Sequence, residues 1–210
     1  MPAATKRSTR KSASTAKSRE VYDVIVIGAS WGGLDALSTL LDGLHDAVRQ
    51  PIVVAQHRAA DADDSMLQEL LQGHTRRVVC DPDDKTPLER DHVYIGPPDY
   101  HVLVERGHLA LSTDAPVQYA RPSIDVLFDS AAAAYGERAV GIVLTGANAD
   151  GAAGLARLKD CGGVAIVQDP ATSARRTMPD AAIAATSADA ILPLEEIPPF
   201  LYGLCVEVGP

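Results

Sequence analysis

Apolar residues along this chain recur at two spacings. Runs of about five to seven mostly apolar residues occur at Val21 to Ile27 (interrupted once, by Asp23), Pro51 to Ala55, Val140 to Leu144 and Val164 to Gln168 (whose last residue is polar). Their Val and Ile content and their short length read as strands, and wholly apolar strands suit a parallel sheet covered on both faces. Elsewhere apolar positions step by three and four. Leu34, Leu37, Leu40, Leu41 and Leu44 follow Gly33 in this way, which is one face of a helix. Asp64 to Gln72 reads as a second helix stopped by Gly73. A third opens at Arg121-Pro122-Ser123 and runs through Ile124, Leu127, Phe128 and the alanines 131–134, which favour helix. A fourth runs from Gly151 to about Lys159, ended by Cys161-Gly162-Gly163. Pro179 to Ala185, Ala190 to Leu192 and Ile197 to Leu204 add a helix, a strand and a last helix.

The middle of the chain has a different texture. Val78–Cys80, His92–Ile95, His101–Val104 and Leu109–Leu111 are short β-like pieces, the last two separated by Glu105-Arg106-Gly107 as in a hairpin. They predict an antiparallel addition. The whole alternation predicts one α/β domain: a doubly wound, mostly parallel sheet with helices on both faces and a small antiparallel hairpin.

Composition narrows the class. The 210 residues fit one domain, and no apolar run approaches the roughly 20 residues that cross a bilayer. Membrane insertion is not expected. Three widely spaced cysteines with no CxxC argue against a disulfide framework or zinc site and for a reducing, cytoplasmic home. Residues 1–20 hold six basic residues and one acid, rich in Ser, Thr and Ala, and predict a disordered basic tail. It lacks the apolar core of a secretory signal. The remainder carries 13 basic and 27 acidic residues, a formal charge of −14, which is a poor match to nucleic-acid backbones. The folded domain is expected over 21–206.

Open parallel sheets bind ligands at the carboxyl ends of their strands. Three apolar strands end in residues with chemistry: Gly28-Ala29-Ser30-Trp31-Gly32-Gly33 after the first, Gln56-His57 after the second, and the loop carrying Asp150 after Val140–Leu144. Gly-x-Ser-x-Gly is the pattern of a nucleophile at a sharp strand-to-helix turn. A dinucleotide loop is the rival, but that loop needs glycine where Ser30 stands. Among six histidines only His57 directly follows a core strand, and imidazole suits proton abstraction near neutral pH. Asp150 alone reads equally well as the N-cap of the helix behind it. Its coincidence with a serine and a histidine at one sheet edge makes Ser30, His57 and Asp150 the candidate catalytic set.

Several separated motifs together resemble one family. Gly-Ala-Ser-x-Gly-Gly at 28–33, Gln-His at 56–57, the Gly96-to-His101 segment, Arg-Pro-Ser-Ile-Asp at 121–125, Leu-Thr-Gly-x-x-x-Asp-Gly at 144–151 and Met178-Pro179 are similar to the catalytic domain of the chemotaxis protein-glutamate methylesterase (CheB type), over roughly 21–204. The resemblance implies Ser30 as nucleophile, His57 as base, Asp150 as orienting acid, a parallel α/β fold and no metal or cofactor. It implies a methylated chemoreceptor-type protein as partner, with methanol released from glutamate methyl esters and, in many members, glutamine deamidated. Arg121 is either substrate-side or part of an ion pair at the start of its helix.

Three departures from the family bear on this. A 20-residue basic tail stands where the familiar enzyme has a receiver domain, so a stand-alone form is expected. Trp31 replaces a small residue, and its indole either narrows the site, covers the substrate or packs on the surface. Ala147-Asn148-Ala149 stands where better-known members carry a methionine-glycine pair, a change that an oxyanion contact from backbone survives and one from a side chain does not. A small-molecule carboxylesterase and a non-catalytic binding module remain the alternatives. Oligomeric state is left open.

Overall fold

Strands buried on both faces must feed two cores, and the pleat divides their side chains between them. The computed structural model describes residues 22–58 and 64–206. In chain order the first half holds β1 (Val24–Ala29), α1 (Gly33–Gly43), β2 (Ile52–Gln56), α2 (Asp64–Gln72), β3 (Val78–Cys80), β4 (His92–Ile95), β5 (His101–Glu105) and β6 (His108–Ser112). The second half holds α3 (Ile124–Tyr135), β7 (Ala139–Val143), α4 (Ala152–Asp160), β8 (Val164–Gln168), α5 (Thr177–Ala185), β9 (Ala190–Leu192) and α6 (Ile197–Cys205). Ile25 and Ile27 of β1, Ile52 and Val54 of β2, and Val140 and Ile142 of β7 meet leucines of α1, α2 and α6 in one hydrophobic cluster. The alternate residues Val24, Val26, Val53, Ala55, Ala139 and Val143 meet α3, α4, α5 and the β5–β6 ribbon in the other.

Seven strands form one sheet in the order β3-β4-β2-β1-β7-β8-β9, with every pairing parallel. The chain winds one way from β1 through β2 and the other way from β7 through β8, so the order reverses between β1 and β7. That is the position where an open sheet leaves a crevice at its carboxyl edge. The doubly wound expectation holds, hairpin included: β5 and β6 pair antiparallel, with Val102 opposite Leu111 and Val104 opposite Leu109. The ribbon is pinned to α3, where the Val104 N–H donates to Ser130 Oγ at 2.9 Å.

Two expectations differ in detail. β3 and β4 extend the parallel sheet instead of joining the antiparallel addition. Val93, Tyr94 and Ile95 are all buried, because β4 is covered on both faces, and strands of three or four residues carry too little pattern to reveal their direction. β1 begins at Val24, and Asp23 just before it pairs with Arg138, which immediately precedes β7. Val21, the basic tail and its expected disorder lie outside the described residues. No disulfide joins the three cysteines.

One helix contact bears directly on the site. α3 crosses α4 at Gly154, where a Cβ would lie 2.8 Å from both the Asp125 carbonyl oxygen and Phe128 Cβ. Gly154→Ala therefore forces the two helices apart and is expected to cost about 1–3 kcal/mol in urea unfolding, the range for overpacking. An unchanged midpoint would mean that the helices yield freely.

Candidate active site

The three strand ends singled out by the sequence converge on the reversal point. Ser30 follows β1, His57 follows β2 and Asp150 lies in the loop between β7 and α4. His57 Nδ1 stands 3.2 Å from Ser30 Oγ, and His57 Nε2 stands 2.8 Å from Asp150 Oδ2. A hydroxyl, an imidazole and a carboxylate are thus linked in series, although 93 residues separate His57 from Asp150.

Each group is held by backbone close to the sheet. The Ser30 N–H donates to the Thr145 carbonyl at 3.0 Å, and its own carbonyl accepts from Gly33 N–H at 2.9 Å and from Gln56 Nε2 at 2.8 Å. Gly32 makes the turn into α1 with φ of 77°, a left-handed conformation that favours glycine. The His57 N–H donates to the Ala29 carbonyl at 3.1 Å, and its carbonyl accepts from the same Gln56 amide. One glutamine side chain therefore ties the serine turn to the histidine turn.

Asp150 caps a helix other than the one the sequence suggested. The residue at the start of α4 is Gly151, with φ of 94° and no side-chain cap. Asp150 reaches across to the N-terminus of α3. Its Oδ1 accepts from Ser123 Oγ at 2.9 Å and from Asp125 N–H at 3.0 Å, and its Oδ2 accepts from Ile124 N–H at 2.7 Å as well as from His57. Asp125 returns the arrangement, accepting from Gly151 and Gly154 N–H groups at 2.9 and 2.7 Å. The start of each helix is thus capped by a carboxylate from the start of the other: Asp150 just before α4, and Asp125 in the first turn of α3.

This wiring sets the charges. The Asp150 side chain is fully buried. Burial, the largest influence, opposes its ionisation, but the bonds from His57, from the Asp125 and Ile124 N–H groups and from Ser123 outweigh it, and its pKa falls below the ordinary aspartate value. Asp125 moves the other way: burial pushes it up, against its two backbone bonds and with the charge of Asp150 beside it. The hydrogen bonds of Asp150 favour its ionised form, and an ionised carboxylate only accepts. Its partner His57 Nε2 must therefore carry hydrogen, leaving the Nδ1 lone pair facing Ser30.

A hollow of about 350 Å³ opens beside His57, lined by Arg58, Asp99, Tyr119, Arg121 and Asn148 among others. A larger one of about 810 Å³, lined by Asp42, His45, Asp46, His74, Arg76 and Arg77, contains none of the three groups. The smaller hollow is the relevant one, because it borders the only described histidine joined to both a serine hydroxyl and a buried carboxylate.

Comparison with known proteins places the chain in a family. The CheB methylesterase family model matches residues 25–201. This chain belongs to the CheB methylesterase family. The family's members are hydrolases of methyl esters. A Leptospira interrogans relative, provisionally named protein-glutamate methylesterase/protein-glutamine glutaminase, is 41% identical over 177 residues, covering 84% of this chain and 91% of its own length. Protein-glutamate methylesterase/protein-glutamine glutaminase 2 of Anaeromyxobacter dehalogenans is 41% identical over 189 residues, which span 90% of this chain and 55% of that protein. The crystal structure of the Thermotoga maritima CheB methylesterase catalytic domain superposes with a TM-score of 0.82 at 30% identity, covering 87% of this chain and 98% of that one.

Against the CheB pattern, the departures now have positions. Trp31 is 63% exposed, and the Arg175 guanidinium lies 5.4 Å from its ring centroid, a cation–π contact. The indole does not separate Ser30 from His57. Arg121 donates to Asp99 at 2.5 Å and to the Thr113 and Asp114 carbonyls at 2.8 and 2.9 Å. Its guanidinium clamps the loops that border the hollow, so the ion-pair reading fits its contacts.

Sequence reasoning missed the supporting roles of Gln56, Gln168 and Asn148. Gln168 Oε1 accepts the Thr145 N–H at 2.9 Å, fixing the loop that receives Ser30. A common signal marks both glutamines: each is the one polar residue, and the last, of a strand otherwise apolar and bound for the sheet interior. Asn148 Nδ2 lies 3.3 Å from His57 Nδ1, and nothing in its own sequence neighbourhood signalled that contact.

Proposed function

We propose that this protein is a protein-glutamate methylesterase that acts on methylated chemoreceptor-type signalling proteins in the cytoplasm, with a catalytic domain over 21–206 and Ser30, His57 and Asp150 as its catalytic residues. The observation that carries the reading is the series Ser30 Oγ–His57 Nδ1–His57 Nε2–Asp150 Oδ2, at 3.2 and 2.8 Å, placed on the crevice at the strand reversal. The names of the relatives support the substrate class. The absence, among the described residues, of any helix long and apolar enough to cross a membrane accords with the location.

In this reading Ser30 Oγ attacks the ester carbonyl carbon while its proton passes to His57 Nδ1. Asp150, already hydrogen-bonded at Nε2, stabilises the imidazolium and holds its ring. The elbow N–H groups of Trp31 and Gly32, from which no described residue accepts, are available to the oxyanion. Collapse breaks the carbon–OCH₃ bond, and His57 returns the proton to the departing methoxide. Water, deprotonated by His57, then cleaves the acyl-serine to a glutamate carboxylate. The same attack on a glutamine side chain would release ammonia.

The test is methanol release from a methylated chemoreceptor fragment, run beside ammonia release from its glutamine sites and hydrolysis of a small methyl ester. Methanol release from the receptor at a far higher kcat/KM than from the small ester is expected. Hydrolysis of the small ester with none of the receptor would replace the protein substrate by a small one, and inertness toward all three would leave a binding module.

A further inference from the structure

We propose that the side-chain amide of Asn148 is an oxyanion donor in this site, an inference that rests on Ser30 being the nucleophile. Asn148 sits half-buried in the loop between β7 and α4 and lines the same hollow as His57. Its Oδ1 accepts from the Asp150 N–H at 3.3 Å, and its Nδ2 faces His57 Nδ1 at 3.3 Å. The amide's orientation follows from its partners. Turned over, it would set NH₂ against the Asp150 N–H and carbonyl oxygen against the Nδ1 lone pair, two repulsive pairs in place of two bonds.

His57 Nδ1 has a single lone pair, because Nε2 carries the hydrogen given to Asp150. Two donors point at it: Ser30 Oγ–H at 3.2 Å and Asn148 Nδ2–H at 3.3 Å. That sharing is stable only while the imidazole is neutral. When Ser30 Oγ bonds to the ester carbon, its proton moves to Nδ1 and the carbonyl π pair becomes a negative charge on oxygen. Nδ1 is then an N–H, and it repels the amide that it had held. The one new acceptor created in that step is the oxyanion, attached to the carbon now bonded to Ser30. Asn148 is therefore released by the same proton transfer that generates the charge it can bind. On collapse of the intermediate the carbonyl reforms, methanol departs with the proton from Nδ1, and the lone pair can take Asn148 back. Asp150 lies below His57 Nε2, and the charged or titratable groups lining the hollow beside His57 are Arg58, Tyr119 and the Arg121–Asp99 pair. None of them brings a neutral donor to Nδ1.

The experiment measures the second-order rate of labelling by a fluorophosphonate, whose phosphoryl oxygen occupies the oxyanion position, together with kcat and KM for a methyl ester. Asn148→Ala removes the side chain. Asn148→Asp keeps the oxygen that accepts from the Asp150 N–H and removes the donor. Both variants are expected to label, and to turn over, about 10²-fold more slowly than the unmodified protein, with KM little changed, as for loss of one oxyanion donor. A wild-type labelling rate in Asn148→Asp, whether or not Asn148→Ala is slow, overturns the inference, because the residue would then serve only to hold the loop. If the unmodified protein itself fails to label at Ser30, the nucleophile assignment falls first and this inference with it.

Discussion

Ser30→Ala is expected to reduce methyl-ester hydrolysis by a factor on the order of 10⁶, the loss seen when a triad serine is removed from another serine hydrolase, while leaving the fold intact. The two halves of that expectation have separate causes. Among the described residues the hydroxyl's one side-chain partner is His57 Nδ1, and it supports no buried backbone group. The turn itself is held by the Ser30 N–H and carbonyl, which bond to Thr145, Gly33 and Gln56 and remain in the alanine variant. Unfolding midpoints should therefore agree within about 0.5 kcal/mol, and a serine-directed phosphonate should label the unmodified protein and not the variant. A serine conserving only a tight turn predicts the reverse: weakened folding with residual activity. His57→Ala is expected to approach the same loss, since a nucleophile without its base and a base without its nucleophile fail together.

The parts of this arrangement that were legible in the sequence are those written in periodicity and in strand ends. Mostly apolar runs located β1, β2, β7 and β8, and residues from the turns or loops after three of them are the ones the structure brings together. The topology supplied what spacing did not. Nothing local in His92–Ile95 distinguishes a strand parallel to β2 from one in a hairpin, because direction is fixed by where the chain returns. The role of Asp150 was ambiguous for a similar reason. Its neighbours along the chain suggest a cap on α4, whereas its hydrogen bonds run to α3, and only the packing of α3 on α4 reveals the exchange. Asn148 is the extreme case, since its contact with His57 spans 91 residues and an asparagine in a loop ordinarily explains itself by turn geometry.

Asp150→Asn is expected to lower turnover by about 10⁴-fold, as the equivalent change does in a trypsin-type triad, and here it should also weaken the fold. The carboxylate receives four donors on two oxygens: His57 Nε2 and the Ile124 N–H on Oδ2, Ser123 Oγ and the Asp125 N–H on Oδ1. An amide offers one accepting end. If its NH₂ takes the Oδ2 place it opposes His57, driving the imidazole hydrogen to Nδ1 and removing the lone pair that Ser30 needs, and it also opposes the immovable Ile124 N–H. If it takes the Oδ1 place the serine hydroxyl can rotate away, but the Asp125 N–H cannot. Either orientation leaves one buried backbone donor unpaired, worth about 1–3 kcal/mol. The dependence on pH gives the same assignment a second test. Because the folded pKa of Asp150 lies below the unfolded reference of 3.8, its contribution to stability is fully present above that reference and is lost as pH falls through the lower folded value. Asp125, pushed upward by burial and in part by the charge of Asp150, contributes with the opposite sign, and the part owed to that charge is lost in Asp150→Asn. The acid unfolding curve of the unmodified protein minus that of Asp150→Asn should therefore report the two carboxylates as a coupled pair, with the share held by Asp150 shrinking below about pH 4. A difference that stays flat through the acid range would mean that Asp150 is not the charged end of the array, and the imidazole would have to be held by some other group.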